Sequence, residues 1–202
     1  MERLESRILN LNEYYTVEDE FEQIKDPKER EIRLLLLEKI MEAAMDLDVH
    51  IAEYMYEQKI RELEQRGVFF VEETRDPVVN DWDIMFDSLV SKEIKENTKD
   101  YSDQFRWHLF SFELLTGLSG EEAKKRFDEI DKNELKLFYD YDDHCYHVTG
   151  AEHLTTQDID ELQEYGTFDR ADKYFFDRKA KWCYIVTHET VHCGPYFYQI
   201  DK

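Results

Sequence analysis

The sequence predicts an α+β protein: an N-terminal helical arm or hairpin, then a mostly antiparallel sheet with helices packed on one face. Three observations predict it. No Pro or Gly falls between Lys28 and Arg66, which suits one long helix. Beyond Gly67, short aromatic and β-branched runs recur, separated by turn residues. The 13 Tyr, 13 Phe and 3 Trp supply enough large apolar side chains for a core.

The elements follow in order. A first helix is expected over Glu2 to about Tyr15. Asp26-Pro27 opens a second, because Pro is favoured in a first helical turn. Gly67 is its expected C-cap. Unbroken from Lys28 to Arg66, that helix would be roughly 58 Å long at about 1.5 Å per residue. Leu37, Ile40, Ala44, Leu47, Ile51 and Tyr54 form a seam at alternating spacings of three and four. Such a seam packs within the chain or joins two chains as a homodimer. Val68 to Val71 reads as a strand. Asp76-Pro77 precedes a helix from about Val79 to Lys95, with Trp82, Met85, Phe86 and Leu89 on one face. The polar run Glu93 to Asp103 reads as a hinge. These marks divide the chain into a helical region 1–66, a connecting strand and helix 67–100, and an α+β domain 101–202.

In that last region Phe105 to Phe112 is strand-like. Ser119 and Glu122 have capping-box spacing and start a helix to about Ile130. Leu135 to Tyr141 and His144 to Val148 flank Asp142-Asp143 as a hairpin. Thr155 or Thr156 caps a short helix through Gln163. Tyr174 to Phe176, Trp182 to Thr187 and Tyr196 to Ile200 are further strands.

The C-terminal half resembles a bacterial family, the domain of unknown function four-two-seven-five. The resemblance rests on Trp107-His108-Leu109-Phe110-Ser111, Gly120-Glu121-Glu122-Ala123, Leu137-Phe138-Tyr139, Trp182 to Glu189, and Gly194-Pro195-Tyr196-Phe197. It covers roughly residues 101 to 198. It implies a self-contained α+β domain and no mechanism.

Charge constrains partners more than any motif. With 48 acidic against 26 basic residues, the formal charge is −22. Phosphate backbones are bound by displacing counterions with Lys and Arg, so direct nucleic-acid binding is not expected. The field favours a basic protein partner. The expected function is a cytosolic protein-binding module, an inhibitor or immunity-type protein, in one form a mimic of nucleic acid. Glu18, Asp19, Glu20, Glu22, Asp140, Asp142 and Asp143 are the candidate contact acids. The same charge would also serve solubility alone. No secretory signal is read in the first residues, no apolar run is long enough for a bilayer, and three cysteines are an odd set for a disulfide framework. Those features point to the cytoplasm.

The sharpest catalytic string is His188-Glu189-Thr190-Val191-His192. In metalloproteases H-E-x-x-H lies on a helix, with two imidazoles on zinc and Glu as base. Here a strand precedes it and Gly194-Pro195 follows, which leaves no room for such a helix. A zinc hydrolase using His188, His192 and Glu189 is therefore the alternative, with His144, His147 or His153 as third ligand. A structural zinc site from Cys183, His188, His192 and Cys193 suffers from poor spacing. Cys145 and His147 share strand parity, but the acids around them disfavour a thiolate. No catalytic residue and no cofactor is assigned.

Overall fold

The computed structural model describes residues 24–102, 104–140, 144–165, 172–189 and 192–200. The expected helix over Glu2 to Tyr15 lies outside them. The chain divides into two compact units, Met1–Tyr54 and Met55–Lys202. No helix among the described residues is long and apolar enough to cross a membrane.

The long helix forms as its sequence dictates. Helix α1 runs Pro27–Gln65. Asp26 accepts from the Lys28 amide at 3.0 Å at its start, and Gly67 leaves it at φ +89°, a left-handed value that favours glycine. In the first unit the expected seam is split. Leu37 and Ala44 are buried, whereas Ile40, Leu47, Ile51 and Tyr54 are exposed. In the second unit Tyr56, Ile60 and Leu63 turn into a hydrophobic core.

The rest of the second unit is organised by a seven-stranded sheet ordered β1-β4-β3-β5-β6-β7-β2. The strands are β1 Phe69–Glu72, β2 Leu118–Ser119, β3 Glu134–Tyr139, β4 Cys145–Thr149, β5 Lys173–Asp177, β6 Trp182–Val186 and β7 Tyr196–Gln199. Every neighbouring pair is antiparallel. The two strands expected on either side of residues 142–143 pair antiparallel, with Phe138 opposite Cys145 and Leu135 opposite Val148. Residues 69–72 enter this sheet as an edge strand against β4.

Helices α2 Arg75–Met85, α3 Lys92–Asn97, α4 His108–Ser111, α5 Gly120–Glu129 and α6 Thr156–Tyr165 complete the unit. They cover both faces of the sheet, whereas one face was expected. The reason lies in β5 and β6, which are buried at every position. Alternate side chains feed opposite cores. Leu137, Phe175, Trp182 and Tyr184 join Phe127 of α5 and Ile159 of α6. Phe138, Tyr174, Phe176, Cys183 and Ile185 join Trp82 and Phe86 of the α2 layer.

Two expected elements differ. The helix from Val79 to Lys95 breaks after Met85 into a 3-10 turn, Asp87–Leu89, and then α3. Ser91 caps α3 by accepting from the Ile94 amide at 3.3 Å, so the expected hinge begins as helix. Phe105 to Phe112 is a set of turns ending in α4, not a strand. Its aromatics serve tertiary packing: Phe105 stacks on Trp107 at 5.7 Å, and Phe110 stacks on Tyr196 at 5.7 Å.

Candidate functional site

The expected contact acids fare differently. Glu18, Asp19, Glu20, Glu22, Asp142 and Asp143 lie outside the described residues. Asp140 is not a contact residue: it is buried, 4% exposed. Arg106 Nη1 donates to its Oδ1 at 2.6 Å and Tyr174 Oη to its Oδ2 at 2.6 Å. Arg106 also binds Asp83 through Nε at 2.8 Å. A buried carboxylate must be paired, and here the chain's own groups pair it.

The described residues of the zincin string, His188, Glu189 and His192, lie in turns after β6. The His192 and Cys193 amides both donate to the Glu189 carbonyl at 2.8 Å. The His188 imidazole is already engaged, since its Nδ1 donates to Asp172 Oδ1 at 2.9 Å. Asp172 also accepts from the His188 amide at 2.7 Å and from Trp107 Nε1 at 3.0 Å. Burial pushes the Asp172 carboxyl above the usual range, and the bonds from His188 and Trp107 oppose this. The imidazole is held against Phe105, ring centres 4.9 Å apart. This knot ties the β6 end to the α4 segment. Among the described residues no three His, Cys, Asp or Glu side chains converge as a metal site.

The thiols are set for packing. The Cys145 thiol is pushed up to about 11, by burial first and by Glu73 next. Burial alone drives Cys183 higher still. A nucleophilic cysteine needs the opposite shift. His147 shares the parity of Cys145 but sits half-buried beside Glu73 and Glu134, at 3.8 and 3.9 Å.

His147 instead borders the feature that fits the charge. A cleft of about 1140 Å³ opens between the end of α5, the start of β3 and the β5–β6 turn. It carries six carboxylates: Asp128, Glu129, Asp131, Glu134, Glu152 and Asp177. Of its four cations, Lys132 and Lys136 are held inside the chain, whereas Arg178 and Lys179 are exposed at its edge. Lys132 Nζ donates to the Phe127 carbonyl at 2.6 Å and lies over the Phe127 ring, and burial lowers its pKa. Lys136 binds Glu73. Arg178 reaches Asp81 at 2.8 Å and Lys179 reaches Glu134 at 3.7 Å. Two of the acids also serve the fold: Asp128 caps α6 through Thr156, and Asp177 accepts from the Lys179 and Ala180 amides. Glu129, Asp131, Glu134 and Glu152 are exposed at the rim. Chemically such a rim receives ammonium or guanidinium groups. Sequence reasoning passed over it, although the run Asp128-Glu129-x-Asp131-x-x-Glu134 at a helix end was in view.

The family model described as Domain of unknown function (DUF4275) matches residues 48–197. It reaches further toward the N-terminus than the motifs that suggested it, taking in the second half of α1 and strand β1. No curated protein matches the chain, and no solved structure does.

Proposed function

The chain belongs to the DUF4275 family, and from that premise we propose that it is a cytosolic protein-binding module that engages a basic surface of a partner protein. It acts as an inhibitor or immunity-type protein, occupying a surface that would otherwise meet nucleic acid. The observation that carries the reading is the −22 formal charge, which sets a field attracting cationic surfaces from a distance. The cleft rim of Glu129, Asp131, Glu134 and Glu152 gives that field a local receiver. Three free cysteines, two of them buried, fit a reducing compartment.

An oligoarginine peptide is the defined probe, titrated calorimetrically against the full chain. Binding is expected at low salt. It should weaken steeply as the Debye length falls from ~10 Å near 0.1 M to ~3 Å near 1 M. Neutralising Glu129, Asp131 and Glu134 to Gln, Asn and Gln should lower affinity roughly tenfold, taking about 0.5 kcal/mol per exposed pair. Affinity indifferent to both salt and these substitutions would make the charge incidental to binding.

A further inference from the structure

Helix α1 leaves an apolar face uncovered. Ile32, Leu36, Ile40, Leu47, Ile51 and Tyr54 are each 47–58% exposed. At about 100° per residue all six fall within an arc of about 100°. Leu37 and Ala44, on the adjoining arc, are buried at 7%. The open stripe is therefore the uncovered part of the helix's apolar arc, beside the part that is buried. Contiguous exposed apolar surface of this kind marks an interaction site.

Charge along one border of the stripe names the occupant. From the N-terminal end the charged residues of this border run Lys28, Lys39, Asp46, Glu53 and Glu57, all exposed, with exposed Leu35 among them. It is basic at one end and acidic at the other. Among the described residues no ion pair holds Lys39 or Asp46 within the chain. When two such helices pair antiparallel across a two-fold axis, each border meets itself with direction reversed. Lys39 of one copy then faces Asp46 of the other. The midpoint of that pair falls between Glu42 and Ala43. The midpoint of the stripe from Ile32 to Tyr54 is Ala43, an exposed small residue where two helices can approach closely. Parallel pairing would instead bring the charged border against the arc that Leu37 and Ala44 already bury.

We propose that this stripe is a self-association surface, joining two copies of the chain through an antiparallel α1–α1 pair with Lys39 and Asp46 in register. Self-repulsion between two chains of this charge opposes the contact. Association should therefore strengthen with salt, the opposite of binding to a cationic partner, and the two readings stand or fall separately.

Light scattering and sedimentation equilibrium of the full chain, across the micromolar range, test it. A concentration-dependent dimer is expected. Leu47→Glu, a change at an exposed position, should give a monomer with unchanged helical circular dichroism. Lys39→Glu and Asp46→Lys should each weaken the dimer roughly tenfold by setting like charges opposite each other, and the double swap should recover affinity to within about threefold of wild type. Recovery in the double swap reports reversed pairing between copies, which a merely structural role for either residue would not produce. A monomer at every concentration and salt, a mass above dimer, or a double swap no better than the single variants overturns the proposal.

Discussion

At the scale of single residues, the most consequential carboxylate in the sheet unit is Asp158. It is buried, 3% exposed, and bonded on every side. Arg66 Nη1 and Nη2 donate to its two oxygens at 2.7 and 2.8 Å. Lys59 Nζ lies 2.9 Å from Oδ1, and Thr155 donates through both its amide and its hydroxyl. Burial alone would raise its pKa. The bonds from Arg66, Lys59 and Thr155 win and hold the carboxyl well below the usual range. A carboxyl whose folded pKa is depressed contributes stability that is present above its unfolded pKa. That contribution is lost as pH falls through the folded value. Wild type should therefore lose stability progressively from about pH 4 into strong acid. Asp158→Asn should cost about 2–3 kcal/mol at neutral pH, because it removes the carboxylate shared by buried Lys59 and exposed Arg66 and leaves them only Glu161 and Glu62 as counter-ions. It should also flatten the acid limb of the stability curve. Urea midpoints measured across that range check both effects, and an unchanged acid limb in the variant would place the pH dependence elsewhere.

At the scale of elements, the same carboxylate closes the N-terminus of α6. Thr155 Oγ1 accepts from the Asp158 amide at 3.2 Å while Asp158 accepts from the Thr155 amide at 2.9 Å, a reciprocal cap that satisfies two otherwise orphaned donors. Thr155→Ala should cost about 1 kcal/mol and Thr155→Ser much less. Denaturant unfolding should show the loss as a lower midpoint at constant slope. This start was legible because Thr-Thr before an apolar-periodic run is a local signal. The Ser119 start of α5 was legible for the same reason, although Ser119 makes no side-chain cap bond there and is instead paired with Tyr196 in the sheet. All three C-terminal strands and the β3–β4 pairing were likewise readable from apolar runs between turn residues. What local pattern did not carry is the second helical layer. Lys173-Tyr174-Phe175-Phe176-Asp177 and Trp182 to Val186 lack the polar alternation of a one-sided strand, and that lack is itself the mark of burial on both faces. Phe105 to Phe112 misled because aromatic content favours strands while the segment's conformation is decided by distant partners, chiefly Asp172 and Tyr196. The acid cleft was hidden for a related reason. Its carboxylates come from α5, the α5–β3 loop, β3, the end of β5 and the 3-10 turn at Ala151–His153, and only the sheet brings Asp177 and Glu152 to the local run at the end of α5.

At the scale of the whole molecule, charge acts on stability in two opposing ways. The many exposed i, i+4 pairs, such as Arg33 with Glu29 at 2.6 Å and Arg61 with Glu57 at 3.3 Å, contribute little each and are weakened by salt. The Asp158 and Asp140 pairs are buried on their acidic side and feel salt far less. Against both stands the self-repulsion of 22 uncompensated negative charges, which disfavours the compact state and is also screened by salt. A surface pair gains only tenths of a kcal/mol and screening removes part of that, whereas repulsion sums over every acid within a Debye length. Repulsion should therefore dominate the response. The melting temperature should rise by several degrees as sodium chloride goes from about 0.01 to about 0.3 M, where the Debye length contracts from ~30 Å to below ~10 Å. Thermal melts at fixed pH and fixed protein concentration test this, with the Leu47→Glu variant run alongside to separate screening of the monomer from any gain through association. A rise shared by both proteins assigns the effect to intrachain repulsion. A fall in melting temperature would mean that the exposed pairs outweigh the excess charge, and that the acidic surface is better neutralised within the chain than its composition implies.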